Sequence, residues 1–393
     1  MSLAVPPATE FPVLAREGLV YLDSAATSQT PRPVIEAMDR YYTEYRASIH
    51  RGVYPLAAEA TEAYEVAREK VAAFTGSTAG ETIFTRNGTE SINLVARTNV
   101  APGDRVVVTQ MEHHSNIVPW QLAGAKLDWV PIDDDGLLDL DALDAALARG
   151  PRIVAVTHVS NVLGTVNPVA EITRRAHAAG ALVVVDGMQA VPHMPVDVGA
   201  LGVDFYAWTG HKAYGPTGIG VLHGRRSLLE AMPPFLGGGH MIARVTEEGS
   251  TWAEPPAKFE AGTMMVAEAI GLGAATDFLS GIGMDAVWEH SRDVVGYAVE
   301  RLREVPGLTL YGPDLEHRGS VCAFSVDGVH PHDVAEILGR EGVCVRAGHA
   351  CAQPLMRRLG VSATTRASFA VHSTRDEVDR LIEALGTVRE VFA

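Results

Sequence analysis

Lys212 sits in Trp208-Thr209-Gly210-His211-Lys212-Ala213-Tyr214-Gly215-Pro216, directly after an apolar run over 203–208. A lysine closing a buried strand, on a loop of small residues, is placed to form a Schiff base. Burial disfavours its charged form and leaves the amine a usable nucleophile. Pyridoxal phosphate is the cofactor that needs such a lysine, whereas a solvated surface lysine is the plain alternative. Its companion lies upstream. The run 181–185 is too apolar to alternate, reads as a fully buried strand, and ends in Asp186-Gly187-Met188-Gln189. Ligands of open α/β sheets bind beyond the carboxyl ends of strands. A carboxylate there can keep a pyridine nitrogen protonated, which makes the ring an electron sink. The pair is more specific than either residue alone.

A phosphate grip is expected where a strand over 81–85 runs into Arg86-Asn87-Gly88-Thr89-Glu90 and a helical pattern over 91–97. Open backbone N–H groups and the helix dipole favour an anion there. Thr89 adds a hydroxyl, and Thr209 and His211 are further candidate donors. In Met111-Glu112-His113-His114-Ser115-Asn116 the adjacent histidines lack partners at metal-ligand spacing, so no metal is expected. An imidazole stacked on the cofactor and shuttling protons suits His113 better. Of three cysteines, Cys322 and Cys344 read as small apolar core residues. Cys351 follows Arg346-Ala347-Gly348-His349-Ala350, and a nearby cation favours the nucleophilic thiolate.

These motifs resemble the cysteine desulfurases, pyridoxal-phosphate enzymes of the class V aminotransferase group with fold type I. The short Arg-x-Gly-His-x-Cys-Ala loop is similar to the Suf-type branch. Tyr21-Leu22-Asp23-Ser24-Ala25-Ala26-Thr27, His50-Arg51-Gly52, the segment 158–164, Phe259-Glu260-Ala261-Gly262-Thr263 and Thr365-Arg366-Ala367-Ser368 extend the likeness over about 11–392.

The resemblance implies that Lys212 carries the cofactor, Asp186 pairs with its ring nitrogen, Gln189 with its ring hydroxyl, and His113 stacks on the ring. Gly88, Thr89, Thr209 and His211 would hold the phosphate, with Thr263 reaching in from the other subunit of a homodimer. Arg366 would clamp the substrate carboxylate, with Asn161 beside it. His50 and Arg51 would line the site near the subunit boundary, and His50 and Arg346, the latter near the nucleophile, would join Arg366 and Asn161 in binding the substrate. L-cysteine would be the substrate. Lys212 would take its α-proton, Cys351 would take its sulfur as a persulfide, and alanine would leave. The sulfur would pass to an acceptor protein of the Suf system for iron–sulfur cluster assembly. Three positions depart from the family pattern: Ala350 before the nucleophile, Met264-Met265 after Thr263, and Gly88 where a second hydroxyl is common. Losing one helper donor costs about 1 kcal/mol.

Composition agrees. A chain of 393 residues, 47% hydrophobic, can bury a large core as two domains. Three cysteines are too few for a disulfide framework and fit a reducing cytoplasm. The net charge of −16 speaks against nucleic-acid binding. No run reaches the length of a membrane span, and the N-terminus does not read as a signal peptide.

The positioning elements are strand-like runs over 105–109, 153–158, 181–186, 203–208 and 219–223, alternating with helical ones. The pattern predicts an α/β fold with a mostly parallel sheet covered by helices. The clearest helix spans 169–179, with Pro168 in its first turn and Gly180 at its end. A glycine-rich loop over 237–256 reads as a hairpin over the site or a surface excursion. The expected division is a large domain over 18–280 and a smaller α+β domain from 1–17 plus 281–393. The smaller one contains helices over 284–303 and 331–341, strands over 308–311 and 320–326, and a last helix opened by a Thr374–Glu377 capping box. Two other readings stand beside the desulfurase: a selenocysteine lyase or cysteine sulfinate desulfinase that does without Cys351, and a non-catalytic binding module. Intact Lys212, Asp186 and His113 argue against the last.

Overall fold

The structure, a computed structural model, describes residues 8–392. Seven strands make the central sheet: β1 (Thr82–Thr85), β2 (Arg105–Thr109), β3 (Lys126–Val130), β4 (Ile153–Thr157), β5 (Leu182–Asp186), β6 (Phe205–Thr209) and β7 (Gly220–Gly224). Their spatial order is β1-β7-β6-β5-β4-β2-β3. Strands β2 to β6 run parallel, and β7 is antiparallel to both its neighbours.

The unbroken apolar runs follow from burial on both faces. Val183 and Val185 pack into one cluster with Val154, Val156, Tyr206 and Trp208. Val184 points the other way, into a cluster with Ala155, Phe205 and Ala207. Each fully buried Val or Phe contributes about 1.5–3 kcal/mol.

The strands fall within two residues of the sequence reading, with three corrections. β6 and β7 are shifted toward the C-terminus, so Thr209 is still in the sheet, paired with Gly220. Pro168 lies just before the helix Val169–Ala178, at its N-cap. Its missing N–H costs nothing there. Cys344 is half-buried, because the two-residue strand Val343–Cys344 turns only Val343 inward.

A second sheet follows: β8 (Leu308–Tyr311), β9 (Val321–Val326), β10 (Arg346–Gly348) and β11 (Thr364–Ser368), antiparallel in the order β8-β9-β11-β10. The helices Met284–Arg303, Pro331–Arg340 and Arg375–Val391 pack against it. The capping box at Thr374 forms both its bonds, and Val378, Leu381 and Leu385 are buried while Ile382 is half-buried. The segment 237–256 holds a mostly exposed antiparallel hairpin, Ile242–Val245 with Ser250–Trp252. Among the described residues no helix is long and apolar enough to cross a membrane.

The N-terminal segment joins the two sheets. The strand Val20–Tyr21 pairs parallel with Val343–Cys344. Phe11 is fully buried, with ring centroids 6.1 Å from Tyr214, 5.8 Å from Phe278 and 5.0 Å from His372. Residues 1–7, which the sequence reading assigns with the smaller domain, lie outside the described residues. Phe11→Ala is expected to lower stability by about 3–5 kcal/mol, the usual cost of a deleted core aromatic, as read from urea unfolding.

Candidate active site

Thr85, Thr109, Thr157, Asp186 and Thr209 end their strands at one edge of the sheet. The residues that follow line a cavity of about 350 Å³. Gly88, Thr89, His113, Asn161, Thr209, His211, Lys212, Arg346, Cys351 and Arg366 all face it, from both sheets. Asp186 and Gln189 are buried on either side of Met188, which forms part of the wall. The chain does not bring His50 or Thr263 there. Thr263 and Arg51 line a separate cavity of about 650 Å³, and His50 a third.

The helix α1 (Gly88–Asn99) starts three residues earlier than predicted. Asn87 caps it by accepting the Glu90 N–H at 3.0 Å. A Cβ on Gly88 would come within 2.0 Å of Met188 Cε, so a larger residue here requires the flexible end of that side chain to swing aside. Gly187 is confined by a rigid group, since a Cβ there would meet the Tyr206 ring at 2.0 Å.

Lys212 is half-buried in the cavity wall, and its amine has no hydrogen-bond partner among the described residues. Burial pushes its amine down to about 8, Asp186 pulls it up and Arg366 pushes it down again. Burial raises the Asp186 carboxyl, and its one donor among the described residues is the Met188 N–H at 3.1 Å. His113 Nδ1 accepts the Ser115 N–H at 3.1 Å, so the proton of the neutral ring sits on Nε2. Burial, Lys212, His114 and Arg366 hold that ring down at about 3, so it stays neutral at ordinary pH. Ser115 Oγ also bonds Thr89 Oγ1 at 2.7 Å, linking His113 to the α1 N-terminus.

Cys351 is exposed, and its turn is unusual: Ala350 and Cys351 have φ of 47° and 54°, left-handed values that cost a non-glycine residue about 1 kcal/mol or more. Asn161 Nδ2 donates to the Ala350 carbonyl at 2.8 Å, so it serves this turn. The Arg366 guanidinium donates to the Asn161 carbonyl at 2.9 Å.

Two functional groups escaped the sequence reading. Asp23 takes Arg346 at 2.7 Å and Arg366 at 3.3 Å, one carboxylate between two guanidinium groups. The string 21–27 had signalled the segment without its partners, which lie more than 300 residues away. Glu112 is fully buried beneath His113. It accepts from Thr109 Oγ1 at 2.6 Å, Asn116 Nδ2 at 2.7 Å and the Thr157 N–H at 3.0 Å. Burial pushes it up to about 8 against the pull of those three donors.

A family model for the class-V aminotransferases matches residues 20–381. The chain belongs to the class-V aminotransferase family. It is 52% identical to a probable cysteine desulfurase of Streptomyces coelicolor, over 98% of this chain and 96% of that one. Among solved structures, it matches the apo cysteine desulfurase of Thermococcus onnurineus NA1 with a TM-score of 0.95 at 41% identity, covering 99% and 98% of the two chains. It matches the Escherichia coli cysteine desulfurase CsdA in its S-sulfonic acid form with a TM-score of 0.91 at 41% identity, covering 98% and 97%.

Pyridoxal phosphate is the cofactor of this family, and the cavity fits it. Asp186 has no side-chain donor of its own, and Gln189 Oε1 is buried without a partner among the described residues. The amine of Lys212 is unengaged among the described residues, and the N-terminus of α1 faces the same cavity.

Asp23→Asn leaves two guanidinium groups facing each other, one of them buried. It is expected to lower stability by about 3–5 kcal/mol. L-alanine, whose carboxylate can replace the lost charge, should raise the variant's melting temperature more than the parent's.

Glu112 gives a pH signature. Its folded pKa of about 8 lies above its unfolded value of about 4.3, so the native state binds more protons between these limits. Its contribution is complete below the unfolded value and is lost as pH rises through the folded one. Relative to Glu112→Gln, which has no proton to lose, the parent should lose about 1 kcal/mol per pH unit between pH 5 and 8. Urea unfolding of both proteins across that range measures the slope.

Proposed function

We infer that the chain is a cysteine desulfurase of the Suf-type branch: it converts L-cysteine to L-alanine and carries the sulfur as a persulfide on Cys351. The observation that carries this reading is the cavity shared by Lys212, Arg366 and an exposed Cys351. Asp186 would hold the ring nitrogen of the cofactor, Gln189 its ring hydroxyl, and His113 its face. Gly88, Thr89, Thr209 and His211 would hold the phosphate. Pyridoxal phosphate, when bound, supplies the electron sink that stabilises negative charge at the substrate α-carbon.

The protein's own part is positioning and proton transfer. Arg366 receives the substrate carboxylate. Lys212 Nζ, deprotonated above about pH 8 and partly so below, takes the α-proton. His113 offers an Nε2–H from a ring that stays neutral. The Cys351 thiolate attacks the substrate sulfur: the S–S bond forms, the C–S bond breaks, and its electron pair goes to the substrate carbon, which is protonated to give alanine. A reductant or an acceptor protein of the Suf system then takes the outer sulfur for iron–sulfur cluster assembly.

The separate location of Thr263 and His50 supports a homodimer in which each subunit completes the other's site. Exposed Tyr42, Val53 and Tyr54 give an apolar surface for the contact. The division into a unit over 18–280 and one from 1–17 plus 281–393 is part of the same reading, with the site between them. Unpaired cysteines support a reducing cytoplasm.

The cofactor-loaded protein, given L-cysteine and a reductant, should release sulfide and alanine in equal amounts. Cys351→Ala should lose sulfide release by about 100-fold or more, as nucleophile deletions do. A variant as active as the parent would move the reading to a lyase acting on selenocysteine or the sulfinate.

A further inference from the structure

His114 is the half-buried neighbour of His113, and the reaction outlined above gives it no part. Its backbone N–H donates to the Cys351 carbonyl at 2.7 Å, a short bond. Its imidazole Nε2 accepts the Gln353 N–H at 3.1 Å, at the first residue of the helix Gln353–Leu359. His114 therefore grips the nucleophile turn on both sides of Ala352. The turn needs holding, because Ala350 and Cys351 both occupy left-handed backbone conformations. It is also restrained by the Asn161 amide on the Ala350 carbonyl, by His349 Nδ1, which accepts the Cys351 N–H at 3.1 Å, and by the His349 carbonyl, which accepts the Ala352 N–H at 2.8 Å.

We propose that His114 is a positioning residue for Cys351: its imidazole fixes the nucleophile turn, and its place next to His113 sets that turn in register with the cofactor face. The proposal rests on the reading of Cys351 as nucleophile. The accepting nitrogen must be unprotonated, so the proton of the neutral ring is on Nδ1. A protonated ring cannot accept and releases the Gln353 N–H. The titratable groups that face His114 are His349 (ring centroid at 5.6 Å) and Cys351 from the turn, and His113 (6.3 Å) from its own segment. On the following helix, Arg358 is turned toward Ile132 and Asp134. Burial, then His349, lower the His114 pKa, so the grip persists at neutral pH and loosens as pH falls.

The test uses the cofactor-loaded protein with His114→Phe, a ring without an acceptor, and His114→Gln, whose amide oxygen can accept. His114→Leu replaces the Phe variant if its melting curve shows it unfolded. Alkylation of Cys351 by iodoacetamide, followed by mass spectrometry, reads the freedom of the turn. The Phe variant is expected to alkylate about 5-fold or more faster than the parent. It should release sulfide about 10- to 100-fold more slowly, the scale of a small misplacement of a reacting group. The binding of L-alanine and the cofactor spectrum should stay unchanged, and the Gln variant should lie near the parent in both rates. Equal alkylation in the Phe variant and the parent would overturn the proposal, as would a Gln variant as impaired as the Phe one. A parent that releases no sulfide would refute the desulfurase reading, while the alkylation rates would still decide whether His114 holds the turn.

Discussion

The cavity brings two guanidinium groups together, and the structure depends on how their charge is met. Asp23 meets it, and the segment that carries Asp23 is the seam of the molecule. Tyr21 pairs with Cys344, two residues before the Arg346–Gly348 strand of the second sheet. The Leu22 carbonyl accepts the Ser368 N–H at 2.8 Å, and the Ala25 N–H reaches Ser368 Oγ at 2.9 Å. Three residues on, the Ser28 N–H donates to the His211 carbonyl at 2.9 Å, and Ser28 Oγ accepts the Tyr214 N–H at 2.8 Å. One short stretch thus touches the Val343–Cys344 strand, the Arg366 strand and the lysine loop. The carboxylate at its centre pairs with Arg346 and Arg366, the two strands' guanidinium groups at the cavity.

The remaining electrostatics follow from depth. His113 and His211 are pushed down to about 3 and about 4, His211 mainly by burial with Lys212 adding to it. The imidazoles lining the cavity are therefore neutral hydrogen-bonding groups at working pH. Cationic character resides in the two arginines and partly in Lys212. An anionic ligand meets positive charge that does not titrate away near neutrality. The acids are treated the opposite way: burial lifts both Glu112 and Asp186.

The reach of the sequence reading has a physical boundary. Lys212, Asp186, Cys351 and His113 were legible because each ends an apolar strand or sits in a turn whose local chemistry announces it. The strands were legible for the same reason, since double-sided burial leaves unbroken Val and Ile runs. Glu112 and Asp23 were not. Their importance lies in partners at distant positions, and an acid beside a strand end looks the same whether it meets solvent or three buried donors. Asn161 was placed in the right cavity, yet its amide serves the Ala350 carbonyl, a contact 189 residues away that no local pattern encodes. Thr263 and His50 show a further limit: one chain leaves both away from the cavity.

Gly88 and Met188 share one volume across 100 positions of sequence. A side chain at 88 would meet the far end of the Met188 side chain, whose flexible thioether has to swing aside to admit it. Putting a hydroxyl residue at 88 therefore does two things at once: it adds a donor beside the α1 N-terminus and it moves the stretch of cavity wall that Met188 forms.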